Sequence, residues 1–198
     1  MVFVCAHGAG GHKEDRGMLA LAATLEAVRL KVIRFNFPYR EAGSRRPDPM
    51  PVLKASIADA CREVKAETLL IGGRSMGGRA ASMLAADGFA CAGLLLFAYP
   101  LHPAGQPDKL RAAHLAQIKV PVLCFNGTRD ALCRRELMEK HVPSDWSMHW
   151  LEGADHSFHV LKSSGRTDAE VITEVGTATS AWLGRLPIEE SSSQEKPR

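Results

Sequence analysis

The stretch Thr68-Leu-Leu-Ile-Gly-Gly-Arg-Ser-Met-Gly-Gly-Arg-Ala-Ala-Ser-Met-Leu-Ala-Ala86 decides how the chain is read. A short apolar run, Thr68–Ile71, passes through Gly73-Arg74-Ser75-Met76-Gly77 into a segment of small residues with helical composition, Met76 to Ala86. G-x-S-x-G between a strand and a helix is the pattern of a nucleophile elbow. It demands a sharp turn that lifts the serine oxygen clear of the backbone. Glycine on either side lets strand and helix approach without a Cβ clash. As a bare string the motif is weak; its setting is what gives it weight.

Outward from the elbow, the same alternation repeats. Apolar runs occur at Val2–Ala6, Val32–Phe37, Gly93–Phe97, Val120–Phe125 and Met148–Leu151, several apolar at nearly every position. Such runs suit parallel strands covered on both faces. Pro121 falls at a strand start, where a missing N–H is tolerable. Between the runs, Leu53, Ile57, Ala60 and Val64 share one helical face, with Asp48-Pro49 as its start signal. Val171, Ile172, Val175, Ala178 and Trp182 form another stripe, ended by Gly184 and Pro187. Strand and helix in alternation predict an α/β fold with a mostly parallel six-stranded sheet, helices on both faces and right-handed crossovers. Arg40 to Pro51 reads as a loop. Residues 1–186 read as one domain, with 187–198 as a disordered polar tail.

Composition narrows the class. With 198 residues, 45% hydrophobic and 24% charged, the chain is long enough for one core and is not globally disordered. The net charge is +3, but the 25 basic residues are interspersed with 22 acidic ones, unlike the basic stripe of a nucleic-acid binder. The longest apolar run, Ala90 to Tyr99, is about half what a bilayer crossing needs. The N-terminus has no charged leader. The five cysteines show no C-x-x-C spacing. Cys5, Cys91 and Cys124 lie in or beside apolar runs, as buried thiols of a reducing compartment do. A cytoplasmic domain is the expectation.

A serine hydroxyl becomes a nucleophile when a histidine takes its proton and a carboxylate orients that histidine. In an open α/β sheet these partners sit beyond the C-terminal ends of strands. Asp130 follows Val120–Phe125 through Asn126-Gly-Thr-Arg, and His156 follows Met148–Leu151 through Glu152-Gly-Ala-Asp. Rivals are weaker. His149 lies within a strand. His159 forms H-x-x-H with His156 but has no third ligand of metal-site spacing, so no metal is expected. Asp155, next to His156, points elsewhere from the turn. Cys133 reads as packing, having no base of its own.

The first strand runs into His7-Gly8-Ala9-Gly10-Gly11. Acyl transfer places negative charge on the carbonyl oxygen, which two backbone N–H groups should meet. Met76, after the nucleophile, supplies one and Ala9 the other. A phosphate cradle is the competing reading. Gly8-x-Gly10 lacks the third glycine of a dinucleotide loop, and no G-K-[S/T] occurs, so no nucleotide or other cofactor is expected.

HGAGG, GGRSMGGRAA, FAYPLHP, NGTRD and GADHSF, in this order, resemble the small α/β-hydrolases near dienelactone hydrolase. More narrowly, they resemble the hydrolase-like domain of the testis-expressed and NSL-complex proteins and their bacterial relatives. The resemblance runs from about Val2 to Leu183. It implies a Ser75–Asp130–His156 triad, in the chain order that fold uses, and an oxyanion hole at Ala9 and Met76. Dienelactone hydrolase carries cysteine at the elbow where this chain has Ser75. The usual fold also begins with two further strands that this sequence lacks. Some relatives are chromatin-complex subunits without an assigned catalytic role.

Tyr99-Pro-Leu-His-Pro103 follows a strand end, so Tyr99 and His102 are expected in the pocket wall. The short segment from there to Val120 leaves room for only a minimal lid. Arg34, Arg40, Arg45, Arg46, Arg74 and Arg79 bind an anion if they converge and otherwise form a solvated basic surface. The expected activity is hydrolysis of a carboxylic ester or thioester by a serine enzyme. The alternative is a non-catalytic interaction module on the same fold. Expected partners are small acyl substrates, with neither nucleic acid nor membrane. The missing strands make 31–37 a sheet edge, protected by Lys31, Arg34 and the following loop; a monomer is expected, with dimerisation through that edge as its rival.

Overall fold

The computed structural model describes residues 1–187. Six strands form one all-parallel sheet: β1 (Val2–Ala6), β2 (Lys31–Phe35), β3 (Leu69–Arg74), β4 (Gly93–Phe97), β5 (Val122–Gly127) and β6 (Ser147–Leu151). Their spatial order is β2-β1-β3-β4-β5-β6. The expected edge is therefore β2, and the other is β6. The helices are α1 (Arg16–Ala27), α2 (Pro38–Glu41), α3 (Met50–Arg62), α4 (Met76–Ala86), α5 (Arg135–His141) and α6 (Asp168–Leu183). The polar segment 188–198 lies outside the described residues.

Side chains alternate across each strand, and this alternation splits the core in two. Phe3, Cys5, Leu70, Leu95, Phe97, Leu123 and Phe125 face α1 and α6, meeting Met18, Leu21, Leu25, Val171, Val175 and Trp182. Val4, Ala6, Ile71, Leu94, Leu96, Val122 and Cys124 face the opposite layer, meeting Leu53 and Ile57 of α3, Ala80, Ala81 and Ala85 of α4, and Met138 of α5. Strands buried on both faces need apolar residues at every position, hence the uninterrupted runs in the sequence.

Several boundaries differ from the sequence expectation: β3 runs on to Arg74, β5 is shifted to Val122–Gly127, and β6 begins at Ser147. The second strand ends at Phe35 rather than Phe37, because the Phe37 N–H leaves the ladder and donates to His7 Nε2 at 3.2 Å. The loop expected over Arg40–Pro51 is shortened from both ends by α2 and α3. Pro38 and Pro51 stand in first turns, where a helix leaves its N–H groups unbonded anyway. Asp48 does not start α3: Pro49 precedes that helix, and the Asp48 carboxylate instead accepts from the Tyr39 N–H at 3.0 Å. The last helix has a capping box, in which Thr167 and Glu170 each accept from the other's backbone N–H, at 3.2 and 2.7 Å.

Candidate active site

At the C-terminal end of β3 the chain reverses into α4 through Ser75, held at φ 51° and ψ −116°. A non-glycine residue there is strained, and the surroundings hold it in place. The Ser75 N–H donates to the Phe97 carbonyl at 2.8 Å. A Cβ at Gly73 would lie 2.1 Å from the Ala6 carbonyl oxygen, and one at Gly77 would lie 2.5 Å from the same atom. Both glycines of the motif are thus required by close approach to β1.

His156 Nε2 stands 2.9 Å from Ser75 Oγ, and His156 Nδ1 stands 2.8 Å from Asp130 Oδ2. A carboxylate only accepts, so Nδ1 carries the proton, and Nε2 is left to accept the serine proton. Asp130 enters after β5. Its side chain is 0% exposed against 27% for His156, so the acid is sealed while the base faces the cleft. Two further donors hold the Asp130 carboxylate: Leu132 N–H at 2.8 Å and Asn126 Nδ2 at 3.3 Å. Asn126 is buried at the end of β5. It also donates to the Tyr99 carbonyl at 3.1 Å and accepts from the Tyr99 N–H at 3.2 Å, tying Asp130 to the end of β4. A buried asparagine among apolar strand residues was the sequence signal for this role.

Arg74 anchors the loop that carries His156. Its Nη2 donates to the His156 carbonyl at 3.0 Å, and its guanidinium lies 5.9 Å from the centre of the Phe158 ring. Phe158 adopts φ 64°, which turns the chain back after His156. Burial lowers the Arg74 pKa, and the carboxylates of Asp155, Asp15 and Asp130 act against that shift. Asp155 accepts from the N–H groups of Ser157 at 2.7 Å and His159 at 3.1 Å, and its carboxylate serves the turn rather than the imidazole.

The loop Gly8–Gly11 faces Ser75 across a cleft of about 440 Å³, whose walls include Ala9, Asp15, Met18, Arg74 and His156. The Tyr39 hydroxyl donates to the Ala9 carbonyl at 2.8 Å and fixes that peptide. His7, fully buried beside Phe37 and Tyr39, accepts from the Phe37 N–H through Nε2, so its proton sits on Nδ1, which donates to the Gly8 carbonyl at 2.7 Å. Burial lowers its pKa and favours this neutral form. Met76 opens α4, so its N–H has no partner within the helix.

Tyr99 and His102 do not line this cleft; both are buried. The backbone turns inward after β4, so Tyr99 enters the core and His102 is held by the Arg134 N–H at 3.2 Å. Met18 and Asp15, unassigned from sequence, take the wall position. His149 pairs with Glu174 at 2.7 Å, and His159 pairs with Asp168 at 2.9 Å. Cys133 is buried, and burial pushes its thiol pKa up. Among the described residues, no three His, Cys, Asp or Glu side chains gather as a metal site.

The family model described as "alpha/beta hydrolase domain" matches residues 1–184. The chain belongs to the α/β-hydrolase family. Solved structures agree on the fold. An α/β serine hydrolase homologue from Coxiella burnetii is 22% identical, with 92% of this chain and 85% of the other covered and a TM-score of 0.70. A dienelactone hydrolase from Anabaena variabilis is 18% identical over 93% and 86%, at TM-score 0.68. Est1E from Butyrivibrio proteoclasticus, solved with ferulic acid bound, is 15% identical over 91% and 89%, at TM-score 0.67. In this hydrolase domain, no described helix is long and apolar enough to cross a membrane.

Proposed function

We propose that this α/β-hydrolase is a serine hydrolase that cleaves a carboxylic ester or thioester through an acyl-enzyme. The observation that carries the reading is the continuous line Ser75 Oγ–His156–Asp130, at 2.9 and 2.8 Å, opening on a cleft. In the first half, Ser75 Oγ attacks the acyl carbon as His156 Nε2 takes its proton. The Ala9 and Met76 N–H groups receive the oxyanion. The tetrahedral intermediate collapses, the imidazolium protonates the leaving alcohol or thiol, and Ser75 is left acylated. In the second half, His156 draws a proton from water, hydroxide adds to the acyl carbon, and the acid departs as Ser75 regains its proton. Asp130 stays ionised throughout, holding the tautomer and balancing the imidazolium.

Similarity to a serine hydrolase homologue and to a dienelactone hydrolase supports this chemistry. The motif set HGAGG, GGRSMGGRAA, NGTRD and GADHSF supports the narrower likeness to the testis-expressed and NSL-complex branch. All five cysteines are free thiols, which supports a reducing, cytoplasmic setting. The test is labelling with a fluorophosphonate probe, then a series of p-nitrophenyl esters of increasing acyl length. The expected result is labelling and turnover, both lost in Ser75→Ala with the fold retained and both unaffected by chelator. A folded wild-type protein that neither labels nor turns over favours the interaction module.

A further inference from the structure

The cleft in front of Ser75 has walls that ester hydrolysis as such does not require. Apart from the triad residues, only Ala9 and Met18 bring apolar side chains to it; Asp15, Arg74 and Ser157 are polar, and the rest is glycine backbone. A positive and a negative group thus border one space of about 440 Å³ without pairing with each other. Among the described residues, no salt bridge involves Arg74, and Asp15 pairs with His12 instead.

Both groups keep hydrogen-bonding capacity in reserve. Arg74 gives Nη2 to the His156 carbonyl at 3.0 Å, and among the described residues its Nε and Nη1 meet no acceptor. Those two nitrogens are not sealed inside the protein, as Arg79 Nε is. Gly17 makes the room for them: a Cβ there would lie 2.7 Å from Arg74 Nη1. On Asp15, Oδ2 accepts from the His12 N–H at 2.8 Å. His12 Nδ1 accepts from the Glu14 N–H at 3.1 Å, so its proton sits on Nε2, which donates to Asp15 Oδ1 at 3.1 Å. Each carboxylate oxygen can therefore accept once more, and the side chain is 40% exposed, within reach of a ligand.

The pair of opposite charges selects among substrates. An anionic substituent satisfies Arg74 and is repelled by Asp15; a cationic one does the reverse. A long alkyl chain meets only two apolar side chains. A hydroxyl group donates and accepts at once, so adjacent hydroxyls satisfy the guanidinium and the carboxylate together. We infer that the cleft takes a neutral polyol ester, with Arg74 donating to its hydroxyls and Asp15 accepting from them. The hydroxyls belong either to the leaving alcohol or to the acyl part. Turnover of such an ester rests on the serine-hydrolase reading; its binding does not.

Matched esters test the inference. Glycerol monoacetate against butyl acetate varies the alcohol, and methyl glycerate against methyl butanoate varies the acyl part. The polyol member of one pair should show the higher kcat/KM, and that pair locates the hydroxyls. Acetylcholine and acetoxyacetate, which carry a charge, should be poorer substrates. Arg74→Gln lowers every rate through His156, so the readout is the polyol-to-alkyl ratio. It should fall about tenfold or more, as loss of a charge-assisted hydrogen bond implies. Gly17→Ala should lower the same ratio with native circular dichroism, because the new Cβ meets only the far end of the Arg74 side chain. Asp15→Asn should lower it too, while raising the relative rate on acetoxyacetate. No polyol preference in either pair, a charged ester as the best substrate, or a ratio unmoved in all three variants overturns the inference. Saturation-transfer NMR on Ser75→Ala reads occupancy without turnover: the preferred polyol ester should bind, and adding Gly17→Ala should weaken it. Such binding by a wild-type protein that hydrolyses no ester leaves the site standing and removes the hydrolase reading. Ester hydrolysis without polyol preference or binding does the opposite.

Discussion

Ser75 combines a strained backbone with a hydroxyl 2.9 Å from a histidine nitrogen, and the strain aims the oxygen at the cleft. Of the two carboxylates near His156, Asp130 holds Nδ1 while Asp155 is committed to two backbone N–H groups of its own turn. Asp130→Asn should therefore favour the wrong imidazole tautomer and lower kcat by about 10⁴, as in comparable triads. Asp155→Asn should cost far less; steady-state kinetics on one ester that rank the two in reverse would move the role to Asp155. Asn126 has a different part. Asn126→Ala leaves the Asp130 carboxylate short of a donor and the Tyr99 N–H unpaired, while the Tyr99 carbonyl keeps the Leu101 N–H at 3.1 Å. The expected loss is about 1–3 kcal/mol of stability per unpaired group at most, read by urea unfolding, with a fall in kcat alongside. The three residues of the proposed triad could be named from the sequence because each type stood at a strand end in order, and the fold brings them within hydrogen-bond distance of one another. Tyr99 and His102 were misplaced because position after a strand end does not tell whether a side chain turns in or out.

At the scale of elements, α4 and β1 are packed backbone against backbone at the elbow. A Cβ at Gly77 meets the carbonyl oxygens of both Ala6 and His7, at 2.5 and 2.6 Å, and neither atom belongs to a flexible side chain. Gly77→Ala should then force helix and strand apart, destabilising by about 1–3 kcal/mol, the usual cost of overpacking. It should also lower activity, since α4 carries both Ser75 and the Met76 N–H. An unfolding midpoint and kcat both at wild-type level would show that the elbow has slack. By contrast, Thr167→Ala removes only the cap of α6 and should cost about 1 kcal/mol, read by the same unfolding midpoint. Strand and helix existence was readable from composition and period. The boundaries were not, because they depend on partners distant in sequence: His7 draws off Phe37, and Tyr39 draws off Asp48.

Across the whole molecule, burial of neutral histidines sets the response to acid. His114 is depressed from 6.5 to about 4, and His7 is lowered as well, both chiefly by burial. Unfolding releases them to bind protons at their ordinary value, so the unfolded state takes up more protons below it. Their contribution to stability is complete above about 6.5 and is lost as pH falls toward about 4. Denaturant midpoints across this range should decline, and His114→Gln should flatten part of the decline; a midpoint independent of pH would contradict it. The β2 edge carries Lys31, which is exposed, and Arg34, which pairs with Glu14 at 3.7 Å and donates to the Lys13 carbonyl. Charge on an edge strand discourages pairing with another chain, and light scattering should show a monomer.

By itself the sequence determined the layer architecture and named Ser75, Asp130 and His156 as candidates. These follow from local patterns: apolar runs, helical stripes, and chemical groups placed at strand ends; the place of residues 31–37 at a sheet edge came from the resemblance to the hydrolase fold. Only the tertiary structure decided which groups stand behind the site. Asn126 under Asp130, Arg74 on the His156 carbonyl and Tyr39 on the Ala9 carbonyl join segments separated by many residues. The arginines were decided by the fold too: Arg34 meets the loop after β1, and Arg74 meets the His156 carbonyl. A charge has no periodicity that marks its partner, so its role is set by where the folded chain leaves it.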